Sequence, residues 1–146
     1  MRHSKGYSLI ELLVVVTIVA ILAAIALPAY KNYMIRGRIP DATSNLTSKR
    51  VQMEQYYQDN RTYALAPACN TDTASSKYFT FSCTGAGTPT ATSYIITATG
   101  NNPGPMAGFT YTIDQGNNRQ TTAAPAGWAA AAMPTSCWIT NTGGVC

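Results

Sequence analysis

The chain has 146 residues, 11% of them charged, and its formal net charge is only +4. That balance is too weak to argue for nucleic acid by itself. One histidine, His3, and no Gly-rich phosphate loop or close Cys/His spacing leave no motif for a metal, nucleotide or other cofactor.

The first element organises the rest. Gly6-Tyr7-Ser8-Leu9-Ile10-Glu11 leads into an apolar run from Leu12 to Leu27, interrupted only by Thr17 and followed by Pro28. A helix rises ~1.5 Å per residue, so Leu9 to Tyr30 approaches the ~30 Å hydrocarbon core of a bilayer. Glu11 lies inside this segment, near its start. A bare carboxylate there costs about 2.5–3.5 kcal/mol, so it needs a cationic partner. A secretory signal would use Ala23-Ala24 or Ala26 as its small-residue cut, but the run is long and Glu11 is out of place. A plain anchor explains the length and leaves Glu11 unexplained. A cut after Gly6 explains both. It frees the amine of Tyr7, four residues from Glu11, and an amine on one chain can neutralise the carboxylate of a neighbour.

Lys5-Gly6-Tyr7-Ser8-Leu9-Ile10-Glu11 resembles the class III leader of type IV pilins and pseudopilins. The resemblance implies cleavage by a prepilin peptidase between Gly6 and Tyr7 and methylation of the Tyr7 amine. It makes Glu11 the assembly carboxylate and Pro28 the helix-kinking proline. Tyr7 departs from the family's usual Phe. The motif covers about the first fifth of the chain. Arg2 and Lys5 precede the apolar run, while Lys31, Arg36 and Arg38 follow it, so the positive-inside rule does not orient it. The resemblance implies a leader inside and a domain outside. Losing residues 1–6 removes Arg2 and Lys5, which leaves eight basic against six acidic side chains, a net of +2.

Pro28 weakens the helix without ending it, because a packed or membrane helix tolerates the missing donor. Gly37 and Pro40 make a second weak zone. The helix is expected to continue to about Gln58. Ile35, Ile39, Ala42, Leu46, Met53 and Tyr56 recur at helical spacings, with Lys49 as the one exception on their stripe. Asp41, Arg50, Glu54 and Gln55 occupy the other faces. One long helix is therefore apolar all round in its first part and amphipathic in its second.

Residues 59–77 have no period and contain Pro67, Asn60, Asn70 and Ser75-Ser76, which reads as a loop pinned by Cys69. Asn45-Leu46-Thr47 and Asn60-Arg61-Thr62 match the N-glycosylation pattern, read here as incidental. Alternation then predicts strands at Tyr78–Cys83, Ser93–Thr99, Phe109–Asp114 and Arg119–Ala123. Gly85–Thr92 is a turn region, Gly100–Pro105 a break, and Gly116-Asn117-Asn118 a hairpin turn. Ser136–Thr140 is a candidate short last strand. Trp128 sits in an alanine-rich loop, and Trp138 reads as a packed aromatic, with a binding role as the alternative. The segments Tyr56–Tyr63 and Phe109–Thr122 resemble PilE-like minor pilins.

Four separated cysteines, Cys69, Cys83, Cys137 and Cys146, in an exported domain read as two disulfides. Three pairings are possible, and proximity favours Cys69–Cys83 with Cys137–Cys146. By the resemblance, the last two would bound a variable exposed segment.

The expected fold is α+β, the pilin fold: a long N-terminal helix, membrane-spanning in its first half, packed on a four-stranded antiparallel sheet. Residues 1–6 are the leader, 7–30 the membrane or filament-core helix, and 31–146 the globular domain. Within that domain, 31–58 is helix, 59–77 a loop, 78–123 the sheet and 137–146 the disulfide-bounded end. The expected function is a structural subunit, a minor pilin, of a fibre serving adhesion, twitching motility or DNA uptake, and not an enzyme. Its partners would be other pilin subunits, the prepilin peptidase, an inner-membrane assembly platform and, before assembly, membrane lipid. It would sit in the inner membrane first and on the cell surface afterwards. Two alternatives come from other classes. A DNA-uptake receptor would need a basic stripe, for which Lys49, Arg50, Arg61, Lys77 and Arg119 are the candidates. A secretion pseudopilin would carry a C-terminal calcium site, but Gln115 to Cys146 contains no Asp or Glu.

Overall fold

The computed structural model describes residues 7–83 and 88–146. One helix, α1 (Leu9–Asn60), passes through Pro28, Gly37 and Pro40 without interruption. Contacts divide the chain into two units, Met1–Met34 and Ile35–Cys146. In the first, the helix carries exposed apolar side chains on every side, and none of its most apolar window is buried. Its one polar interruption is satisfied internally, because the Thr17 hydroxyl donates to the Leu13 carbonyl at 2.8 Å. The segment is long and apolar enough to cross a membrane.

In the second unit α1 buries Ile39, Ala42, Leu46, Lys49 and Met53, at alternating steps of three and four residues. This is the stripe that the sequence pattern describes, and its exception is buried with it. α1 ends at Asn60, two residues beyond the expected Gln58. Arg61 stops it: its φ is 57°, in the left-handed region, while its N–H still donates to the Tyr57 carbonyl.

Four strands follow, β1 (Phe79–Ser82), β2 (Ile95–Gly100), β3 (Thr110–Asp114) and β4 (Arg119–Ala123), each antiparallel to the next in the order β1-β2-β3-β4. Sequential antiparallel strands need only short connections, and one face can be hidden under a helix. Phe79, Phe81, Ile96, Ala98, Tyr111 and Ile113 are fully buried and form one core with the helix stripe. The expected architecture, one long helix on a four-stranded antiparallel sheet, is the observed one. Strand ends fall within two residues of the expected ones. The Gly85–Thr92 turn lies partly outside the described residues. The β3–β4 turn forms at Asn117, whose φ is 61°, and Asp114 closes it by accepting from the Asn118 backbone and side-chain amides.

Ser136–Thr140 is not a strand. β4 is the outer strand, and beyond it only Thr135 bridges to Thr121. The backbone of 137–139 is held instead by side chains. The Thr121 hydroxyl donates to the Cys137 carbonyl and accepts from the Ile139 N–H, both at 2.9 Å, and the Tyr111 hydroxyl donates to the Ile139 carbonyl at 3.0 Å. Polar groups satisfied in this way have no need of a ladder.

Candidate functional site

The first candidate is the start of α1. Tyr7 is 83% exposed and precedes the helix, whose first turn contains Glu11. A carboxylate there is favoured by the partial positive charge of the helix start. Tyr7, Glu11, Leu12 and Val15 line a shallow surface groove whose remaining wall is apolar. Gly6 lies outside the described residues, so the cut proposed between it and Tyr7 has no structural description. Within one chain, the Glu11 carboxylate has no partner in an ion pair among the described residues. The geometry therefore offers a charge, exposed among apolar side chains, to something outside the chain.

The second candidate is the polar framework that fixes the globular unit. Lys49, on the buried stripe, pairs with Asp72 at 2.7 Å, and its ammonium also lies 5.7 Å from the centre of the Phe81 ring. Asp72 gathers the Ser75 hydroxyl and the backbone N–H groups of Ala74 and Ser75, and its own backbone pairs with Phe81 of β1. The Lys49 ammonium, then the Ser75 hydroxyl, hold the Asp72 carboxyl well below the usual carboxylate range. Asp41 accepts from the Ser76 hydroxyl, whose oxygen in turn accepts from the N–H groups of Tyr78 and Phe79. Glu54 accepts from two phenols, Tyr63 at 3.0 Å and Tyr94 at 2.9 Å. Burial, then the adjacent Glu54 carboxylate, push both phenols up. Each of these acids ties α1 or the loop after it to the sheet.

The four cysteines form Cys69–Cys83 and Cys137–Cys146. The first ties the loop after α1 to the end of β1. The second closes the C-terminal segment, where Thr140 and Asn141 donate to the Val145 carbonyl. Trp138 is half-buried. Its indole N–H donates to the Thr112 carbonyl at 2.9 Å, and Arg119 lies over its ring at 4.9 Å. Pro28 sits within the exposed part of α1.

The five cations that the sequence offered to DNA have different local settings. Lys49 is consumed in an ion pair, Lys77 lies over Tyr78, and Arg119 lies over Trp138. Arg61 is exposed at the helix end. Arg50 has a buried Nε with no hydrogen-bond partner among the described residues. Asp72, Ser76 and the double role of Glu54 were missed by sequence reading. One signal existed: a lysine on an apolar stripe demands a carboxylate from another element.

Two families match the chain. One described as "Type IV minor pilin ComP, DNA uptake sequence receptor" matches residues 28–108, and one described as "Prokaryotic N-terminal methylation motif" matches residues 1–27. The chain is 44% identical over 55 residues to the fimbrial protein EcpC of Eikenella corrodens, covering 38% of this chain and 36% of that protein. It is 39% identical over 64 residues to a fimbrial protein of Moraxella nonliquefaciens, covering 44% and 42%. It is 43% identical over 53 residues to the type IV major pilin protein PilE of Neisseria gonorrhoeae, covering 36% and 32%. The aligned part thus spans well under half the length of these relatives. Among solved structures, the non-core minor pilin PilV of Neisseria meningitidis superposes with a TM-score of 0.52 at 18% identity, over 64% of this chain and 91% of that one. At that identity the likeness speaks for the fold alone.

Proposed function

The chain belongs to the family of the type IV minor pilin ComP, DNA uptake sequence receptor, and from that membership we propose that it is a minor structural subunit of a type IV pilus. The observation that carries this reading is the first unit of the chain. An apolar helix with no covering in its own chain begins beside an exposed carboxylate, Glu11. Lipid can cover such a helix, and so can copies of the same helix.

The mechanism follows physically. The helix of residues 7–30 stores the subunit in the inner membrane, with residues 31–146 outside it. A prepilin peptidase removes residues 1–6, and the Tyr7 amine that results is methylated. Glu11 of one subunit pairs with the amine of its neighbour at the assembly platform. Apolar surface moves from lipid into a bundle at the fibre core. Head-to-tail contacts that do not close then build an open filament on the cell surface. Pro28 lets the helix bend within that bundle. The family is one of structural pilins, and the chain serves as substrate of the peptidase, with no catalysis of its own. Mass spectrometry of the mature protein tests the first step. A terminus at Tyr7 carrying one methyl group is expected; a chain starting at Met1, or cut near Ala26, overturns the reading.

The second reading is a DNA-uptake receptor, favoured by the description of the matching family. Lys49 is held by Asp72, and Lys77 and Arg119 lie over Tyr78 and Trp138, so each would have to turn from a partner in its own chain to reach a phosphate. A salt-dependent shift of duplex DNA by the purified protein would support it, since phosphate contacts release counterions.

A further inference from the structure

The charges of the second unit are unevenly placed. β1 begins and β2 ends at one end of the sheet, where Phe79 faces Gly100. Arg38 of α1 reaches this end, with its guanidinium carbon 5.0 Å from the centre of the Tyr78 ring. The Lys77 ammonium lies 5.1 Å from the same ring centre. One half-buried tyrosine therefore carries two cations. Arg36 is exposed two residues before Arg38. The nearby carboxylate, Asp41, is occupied by the Ser76 hydroxyl and the Asn45 amide. None of the three cations belongs to an ion pair among the described residues. Apart from Arg36, Arg38, Lys77 and Asp41, the charges of residues 35–146 balance, with Lys49, Arg50, Arg61 and Arg119 against Glu54, Asp59, Asp72 and Asp114. Arg38 and Lys77 meet at Tyr78, Arg36 leaves the same stretch of α1 about 200° away, and together with Asp41 they carry the unit's net charge of +2.

Arg36 and Arg38 also lie next in sequence to the apolar segment. Leu27 ends the apolar run, Tyr30 and Tyr33 are exposed, and Arg36 follows Tyr33 by three residues. Tyrosines and then cations is the order in which side chains meet the edge of a bilayer, rings at headgroup depth and cations at the phosphates. The geometry points to a surface for anionic phospholipid headgroups made by Arg38 and Lys77, with Tyr78 as the platform that orders both and Arg36 adding a cation from another face of the same stretch of α1. It rests on the reading of Leu9–Tyr30 as a membrane segment. Arginine suits phosphate because its fork donates two parallel hydrogen bonds. Each cation near an anionic surface contributes about fivefold in binding, and salt screens it within ~8 Å. Such a contact holds the stored subunit down and still releases it to a growing fibre. Lipid is favoured over nucleic acid because the rest of the unit is neutral, so a duplex would find no continuing basic track.

The test uses the full mature chain in nanodiscs of phosphatidylcholine alone or mixed with phosphatidylglycerol. A small acylating reagent reports access to the Lys77 amine by mass spectrometry. Labelling is expected to slow about fivefold in the anionic discs. High salt, or Arg36→Gln with Arg38→Gln, should restore it with the circular dichroism unchanged. Equal labelling in both discs, with the chain inserted in both, overturns the lipid surface and leaves the membrane segment standing. A chain that enters neither disc removes the membrane segment and the lipid surface together. Protection of Lys77 by added duplex DNA, but not by phosphatidylglycerol, overturns the assignment in favour of nucleic acid.

Discussion

The Lys49 ammonium sits 2.7 Å from the Asp72 carboxylate, on the one helix stripe whose other buried members, Ile39, Ala42, Leu46 and Met53, are all apolar. The two residues come from α1 and from the segment between α1 and β1, so the pair fixes that segment to the helix. Removing one partner leaves the other poorly solvated. Asp72→Asn is expected to destabilise the protein by about 1–3 kcal/mol. Lys49→Met combined with Asp72→Asn should cost less than the sum of the single changes, because methionine restores an apolar stripe. Urea denaturation in detergent checks both; additive single changes would mean that the pair contributes nothing as a pair.

The same pair sets a pH dependence. The folded Asp72 carboxyl is held below its unfolded value of 3.8, chiefly by Lys49. Its contribution is therefore present in full above about pH 5 and drains away as pH falls below that. The melting temperature of the wild type should drop as pH is lowered from about 5 to 3, where Asp72 begins to be protonated in the unfolded chain. Asp72→Asn should flatten that part of the curve. Identical curves for the two proteins would assign the acid sensitivity to other carboxylates.

Much of this was legible before the structure, for identifiable reasons. The helix stripe and the alternation in Phe109–Asp114 are one-dimensional patterns, because one face of each element is buried. Asp72 was not legible, since a loop residue has no period and its partner lies on another element. The mistaken strand at Ser136–Thr140 shows the complementary limit. Its residues have strand composition, but the Thr121 hydroxyl already satisfies the Cys137 and Ile139 backbone. Side-chain substitution for a ladder leaves no trace in the pattern. Glu11 stands out in the sequence because a carboxylate in an apolar run is costly in any fold, and its part in assembly is a proposal.

Gly100 closes β2 where nothing larger fits. A Cβ there would lie 1.8 Å from the Met106 carbonyl oxygen, which is backbone and cannot swing away. Gly100→Ala is expected to cost about 2–3 kcal/mol through displaced backbone. Hydrogen exchange should show the Gly100 and Phe109 amides losing protection first. A fully stable Gly100→Ala protein would mean that the 101–108 loop is free to move off the strand.

The C-terminal disulfide should stabilise a segment with little to bury. Cys137 and Cys146 are nine residues apart, and a loop of that size is worth about 2–3 kcal/mol in the chain-entropy model. Replacing both by serine should lower stability by that amount while leaving the helix and sheet intact by circular dichroism. Unchanged stability would mean that Tyr111 and Thr121 hold the segment without the bond.

Glu11 poses the sharpest question of the chain. Valine there would lower the cost of residing in the membrane by removing a charge worth about 2.5–3.5 kcal/mol. On the proposed reading, the retained carboxylate serves an attraction that exists only between subunits. Desolvation offsets much of a buried ion pair, so the pair with a neighbour's Tyr7 amine selects a register more than it adds net stability. Glu11→Val should accordingly be made, cut and held in the inner membrane as the wild type is, yet be missing from the fibre. The amount of mutant in sheared pili, against the amount in the inner membrane, measures this. Wild-type incorporation would remove the role of Glu11 in assembly. Uncut protein in the membrane would reassign the residue to recognition by the proposed peptidase.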